Sequence, residues 1–267
     1  MKKFLKNCLT KTLSFSGVFP TKMTKRSTIV SLLKKLHPVL TDKPLVRFGP
    51  KGDGGYLIPD DILGVSACFS PGVSAVSGFE KDCADRGMDV FLADKSVDCP
   101  AEEHERFQFL KKFIGARTDD DFITLDDWVE SSVTNSKSEL ILQIDIEGYE
   151  YEVFLSVAKS LMQRFRIIIA EFHRLDQLWN EPFFSIASST FDKILQTHTC
   201  VHIHPNNCCG SLKQEGIDLP RVMEFTFLRN DHVKKSGFQQ EFPHPLDSDN
   251  TGNRPLVLPD CWFRRNQ

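Results

Sequence analysis

The 267-residue chain has no Asp or Glu in its first 41 residues, no apolar run near the length of a membrane-spanning helix, and only eight cysteines. Spanning a bilayer takes roughly 20 apolar residues, so a transmembrane helix is excluded. Eight cysteines in a chain of this length do not make a disulfide scaffold, and they read as mostly reduced, buried thiols. No C-x-x-C is present, and the adjacent Cys208 and Cys209 do not easily share one tetrahedral zinc site. The dinucleotide fingerprint G-x-G-x-x-G is missing too. Gly72 is followed at the next two fingerprint positions by Ser74 and Ser77, which argues against a nicotinamide dinucleotide.

What is there begins with a charge imbalance. The first 41 residues carry nine Lys/Arg, while the remainder has 24 basic against 36 acidic residues. An acidic body lacks the basic face of a nucleic-acid binder, so no nucleic-acid partner is expected. Residues 1–41 read as a basic leader and N-terminal helix on a cytoplasmic protein. Their Lys/Ser/Thr richness leaves open an organellar presequence or weak contact with a membrane surface.

From residue 42 to 235 the pattern is one domain of alternating strands and helices. Strands are expected at 64–70, 88–93, 140–146, 166–170, 200–204 and 222–228. Helices are expected at 28–40, 74–86, 101–114, 151–161 and 183–196. Strand–helix alternation implies a parallel sheet covered by helices on both faces, with the last two strands pairing antiparallel at one edge. Residues 236–267 hold four prolines and no periodicity, and read as an irregular tail.

In such a sheet, ligands meet the carboxyl ends of the strands. The first strand runs into Ser70-Pro71-Gly72, where a glycine lets the backbone approach a ligand. The second ends at Asp94, 22 residues after Gly72, at the spacing of an acid that holds a ribose diol. The next ends in Asp145-Ile146-Glu147, two carboxylates on one side of an extended chain. Such a pair holds a hard cation or divides acid and base roles. Glu150 reads as an acid favoured at a helix N-terminus. The following strand ends in Glu171-Phe172-His173, and His173 is the expected general base. His202 and His204 have metal-like spacing but little else in support.

The strings Gly52-Asp53-Gly54-Gly55-Tyr56, Ser70-Pro71-Gly72-Val73, Asp145-Ile146-Glu147-Gly148-Tyr149-Glu150-Tyr151-Glu152 and Glu171-Phe172-His173 occur in the order seen in FkbM-type methyltransferases. So do His204-Pro205-Asn206-Asn207 and the segment 220–227. The chain resembles that family over roughly residues 45–230, and the D-x-E-G-x-E-x-E segment is its most specific piece. The resemblance implies a class I methyltransferase fold: a Rossmann-like three-layer α/β sandwich on a seven-stranded, mostly parallel sheet with an antiparallel edge strand, ordered 3-2-1-4-5-7-6. It implies S-adenosylmethionine as cofactor, held by Ser70, Pro71, Gly72, Asp94, Gly115 and Asp145. Catalysis would fall to His173, Asp145 and Glu147, acting on a small-molecule or sugar hydroxyl. A divalent metal is compatible with this reading and not implied by it. Two alternatives stay open: a metal-dependent hydrolase using Asp145, Glu147 and His173, and a non-catalytic interaction protein that kept the fold.

Overall fold

The computed structural model describes residue 15, residues 19–73 and residues 75–264. Residues 1–14 and 16–18 of the expected leader, and Ser74 of the glycine turn, therefore lie outside the described residues. Among the described residues no helix is long and apolar enough to cross a membrane.

Seven strands form the central sheet: β1 (Val65–Pro71), β2 (Asp89–Ala93), β3 (Phe107–Leu110), β4 (Glu139–Ile144), β5 (Phe165–Phe172), β6 (His198–Pro205) and β7 (Met223–Arg229). Their order is β6-β7-β5-β4-β1-β2-β3, the 3-2-1-4-5-7-6 order of class I methyltransferases. β7 runs antiparallel to both neighbours, and β1–β5 are mutually parallel. The reversed strand is thus one in from the edge, because β6 passes outside it before β7 returns. β5 is buried along its whole length, which is why its Ile167-Ile168-Ile169 run shows no alternation.

Around the sheet lie α1 (Arg26–Lys35), α2 (Gly78–Asp85), α3 (Leu125–Ser132), α4 (Glu150–Ser156), α5 (Lys159–Met162) and α6 (Glu181–Ile194). Two apolar clusters form on its two faces. One gathers Phe69, Leu142, Ile168, Phe172 and Phe225 with α1 and α6; the other gathers Cys68, Ile141, Ile169 and Phe79. Ile29, Leu32, Leu33 and Leu36 belong to the first cluster, so α1 packs into the same core as the domain that follows it. The tail is irregular but not separate. Trp262 is fully buried against Phe225, and its indole N–H donates to the Asp218 carbonyl at 3.1 Å.

Two helix expectations fail. The 101–114 helix is instead β3 followed by a short strand, Phe113–Gly115, that pairs with Phe122–Thr124. Its Phe107 and Phe109 also fit a period of two, and both pack on one face once β3 pairs with β2. The 151–161 helix breaks after Ser156. The carboxylate of Asp126 accepts the Ala158 amide at 3.1 Å and starts α5 afresh.

Candidate active site

The carboxyl ends of β2, β1 and β4 are tied together by backbone. The Gly72 amide donates to the Ala93 carbonyl at 3.0 Å, and the Asp145 amide donates to the Pro71 carbonyl at 3.3 Å. Gly72 has φ +95°, and a Cβ there would stand 1.6 Å from the Asp145 carbonyl oxygen. Only glycine supplies both that conformation and that clearance.

Over this seam opens a cavity of about 350 Å³, lined by Gly72, Asp94, Ile114, Phe122, Asp145 and Glu147 among others. That volume suits a small-molecule site. Asp94 organises its floor: Oδ2 accepts the Val73 amide at 3.2 Å, and Oδ1 accepts the amide and hydroxyl of Ser96 at 2.6 Å each. A carboxylate has about four acceptor positions, so one is left for a ligand hydroxyl.

Three sequence-expected cofactor residues play other parts. Pro71 contributes its carbonyl to the seam. The Ser70 side chain is fully buried, 2.6 Å from both Glu80 Oε1 and Gln143 Oε1. One hydroxyl proton serves two acceptors only if Glu80 keeps its own, and burial does raise the Glu80 pKa. Gly115 faces the Phe122 ring, which a Cβ would meet at 2.9 Å, so its smallness lets that aromatic wall close.

At the mouth of the cavity, β4 and β5 bring together the second group of expected residues. Asp145, Glu171 and His173 each offer one ligand atom, and these atoms lie within 4.8 Å of one another. His173 Nδ1 is 3.1 Å from Glu150 Oε1, and its Nε2 is 3.4 Å from Glu147 Oε2. Burial opposes charge on His173. The hydrogen bond to Glu150 and the nearby carboxylates of Glu150, Asp145 and Glu147 outweigh it, and its pKa is raised. Asp145 is pushed up to about 7, first by burial and then by Glu150, Glu147 and Asp53, with His173 opposing. Burial beside Asp145 and Glu224 drives Glu171 well up as well.

Sequence reasoning passed over Glu150. It is fully buried at the start of α4, where Oε1 accepts the Ile146 and Gly148 amides at 3.1 and 3.0 Å besides meeting His173. It therefore does more than complement a helix end. Glu147 and Arg174 both adopt left-handed backbone, with φ near +60°, on the two loops that frame the cluster. Non-glycine residues in that region concentrate at functional sites. The Tyr151 hydroxyl donates to the His173 carbonyl at 2.7 Å and fixes the second loop. His202 is engaged elsewhere: its Nε2 meets Asp247 of the tail at 2.9 Å.

Residues 76–200 match the family model described as the methyltransferase FkbM domain. The matched stretch contains β2 to β5 with Asp94, Asp145 and His173, while β1 and Gly72 precede it. Among solved structures, the chain is similar to a protein assigned as a prophage-encoded DNA modification methyltransferase from E. coli, at 10% identity and a TM-score of 0.40, over 62% of this chain and 47% of that one. It is also similar to TrmN from Thermus thermophilus, at 9% identity and a TM-score of 0.30, over 61% and 44% of the two chains. A third, EvdMO1, has 10% identity and a TM-score of 0.23, over 77% and 47%. The chain thus spans under half the length of each. No curated protein matches it.

Proposed function

We propose that this chain transfers a methyl group from S-adenosylmethionine to a hydroxyl oxygen of a small molecule or sugar. The observation that carries the reading is the meeting of Gly72, Asp94, Asp145 and Glu147 around one cavity that opens beside His173. The residues suit the cofactor. Gly72 lines the cavity without a side chain, Asp94 keeps an acceptor position for a ribose hydroxyl, and Ile114 and Phe122 offer an apolar wall to a flat ring. The acids at the mouth favour a positively charged sulfonium.

When bound, S-adenosylmethionine supplies a methyl group whose C–S bond breaks as a C–O bond forms to the acceptor, the electron pair returning to sulfur. This chain's task is to align the acceptor oxygen and take its proton. We assign that work to Asp145, Glu147 and His173, with Glu150 holding His173 in place. Calorimetric titration of the purified chain tests the reading. Saturable binding of S-adenosylmethionine and of its demethylated product is expected; absence of both would overturn it.

A further inference from the structure

We propose that Asp145, Glu171 and His173 hold a single divalent cation at the mouth of the cavity, with Glu147 beside it. This deepens the methyl-transfer reading, on which the ion's role rests, although its binding can be measured without turnover.

Three carboxylate oxygens surround His173 Nε2: Glu147 Oε2 at 3.4 Å, Glu171 Oε1 at 3.6 Å and Asp145 Oδ1 at 3.9 Å. All are longer than a good N–H···O bond, which ends near about 3.2 Å. They fall between the adjacent and the opposite ligand separations of a coordination polyhedron instead. With metal–ligand bonds of about 2.0–2.2 Å, neighbouring ligand atoms stand about 3 Å apart and opposite ones about 4.2 Å.

The tautomer points the same way. Glu150 accepts from Nδ1, so a neutral ring carries its proton there and turns the Nε2 lone pair toward the three oxygens. Lone pairs facing one another repel unless a proton or a metal cation lies among them, and a metal cation can serve all four atoms at once. A carboxylate on the far nitrogen is also how metal-bound histidines are oriented. Independently, Asp145 Oδ1 is buried and has no hydrogen-bond partner. Glu171 is oriented by Asn206, whose amide lies 3.3 Å from both of its oxygens.

One imidazole with two or three carboxylates suits a cation of intermediate hardness such as Mn²⁺. Three protein ligands leave positions open for the acceptor's oxygen. Bound to the ion, that hydroxyl loses its proton more readily. The exposed carboxylate of Glu147 takes the proton and passes it to solvent, and His173 is then a ligand rather than the base.

The test is Mn²⁺ titration of the metal-stripped full-length chain, followed by electron paramagnetic resonance and calorimetry. One saturable equivalent is expected. Asp145→Asn and His173→Ala should weaken it by more than about 100-fold, and Glu150→Gln by about 10–100-fold, the range for a second-layer partner. Glu130→Gln, on exposed α3 surface, should leave it unchanged. Mn²⁺ should also raise the melting temperature of the wild type, a readout that does not depend on any variant folding. No saturable uptake, or uptake indifferent to Asp145→Asn and His173→Ala, would overturn the site. S-adenosylmethionine titrated in chelator separates the two readings. Cofactor binding without Mn²⁺ uptake removes the ion and keeps methyl transfer. Mn²⁺ uptake without cofactor binding does the reverse.

Discussion

Gly72 and Asp145 meet backbone to backbone, so close that a single methyl group on the glycine would overlap the Asp145 carbonyl oxygen. The contact joins the turn after β1 to the acid after β4, and both residues line the cavity. Gly72→Ala should therefore cost more than about 2 kcal/mol, from the overlap and the left-handed φ together. Chemical denaturation measures this. A variant of wild-type stability with intact cofactor binding would show that the seam can yield.

Asp94→Ala should weaken S-adenosylmethionine binding about ten- to hundredfold, the loss of one charge-assisted hydrogen bond. Because Asp94 also fixes Val73 and Ser96, Ser96→Ala serves as the control. It should cost little affinity if the ligand contact dominates. Equal losses in the two variants would mean that Asp94 acts only through the loops.

His198 gives a pH dependence remote from the cavity. It is buried, with Nε2 at 2.8 Å from the Phe165 carbonyl and Nδ1 at 2.8 Å from the Thr197 hydroxyl. Burial lowers its pKa to about 4. The folded pKa lies below the unfolded value, so its contribution is present above about pH 6.5 and is lost as pH falls toward 4. Relative to His198→Gln, the wild type should lose up to about 3 kcal/mol across that window. Parallel urea-denaturation profiles of the two proteins from pH 7 to 4 would contradict this.

The segments on either side of the central sheet, α1 and the stretch around Trp262, supply core. Trp262→Ala should cost about 3–5 kcal/mol and Leu33→Ala about 2–5 kcal/mol, as for other fully buried side chains. A chain truncated before residue 41 loses Ile29, Leu32, Leu33 and Leu36 together and should not melt cooperatively. A sharp thermal transition in the truncated chain would place the domain's start after α1.

Some of this protein is written locally in its sequence. The Ile-rich run of β5 is too apolar to be anything but interior, and the Gly72 turn and the Asp145–Glu147 pair sit where a strand gives out. These depend on neighbours in the chain, so period and spacing expose them. Other features have no local signal. Residues 107–110 fit a helix or a strand, and only pairing with β2 decides between them. Glu150 reads as an ordinary acid at a helix start until the fold sets His173 against it from 23 positions away. The cluster of Asp145, Glu171 and His173 exists because β4 and β5 lie side by side and end at the same level. Sheet order and register are long-range choices, settled by burying both faces of the sheet at once, and no window along the chain contains them.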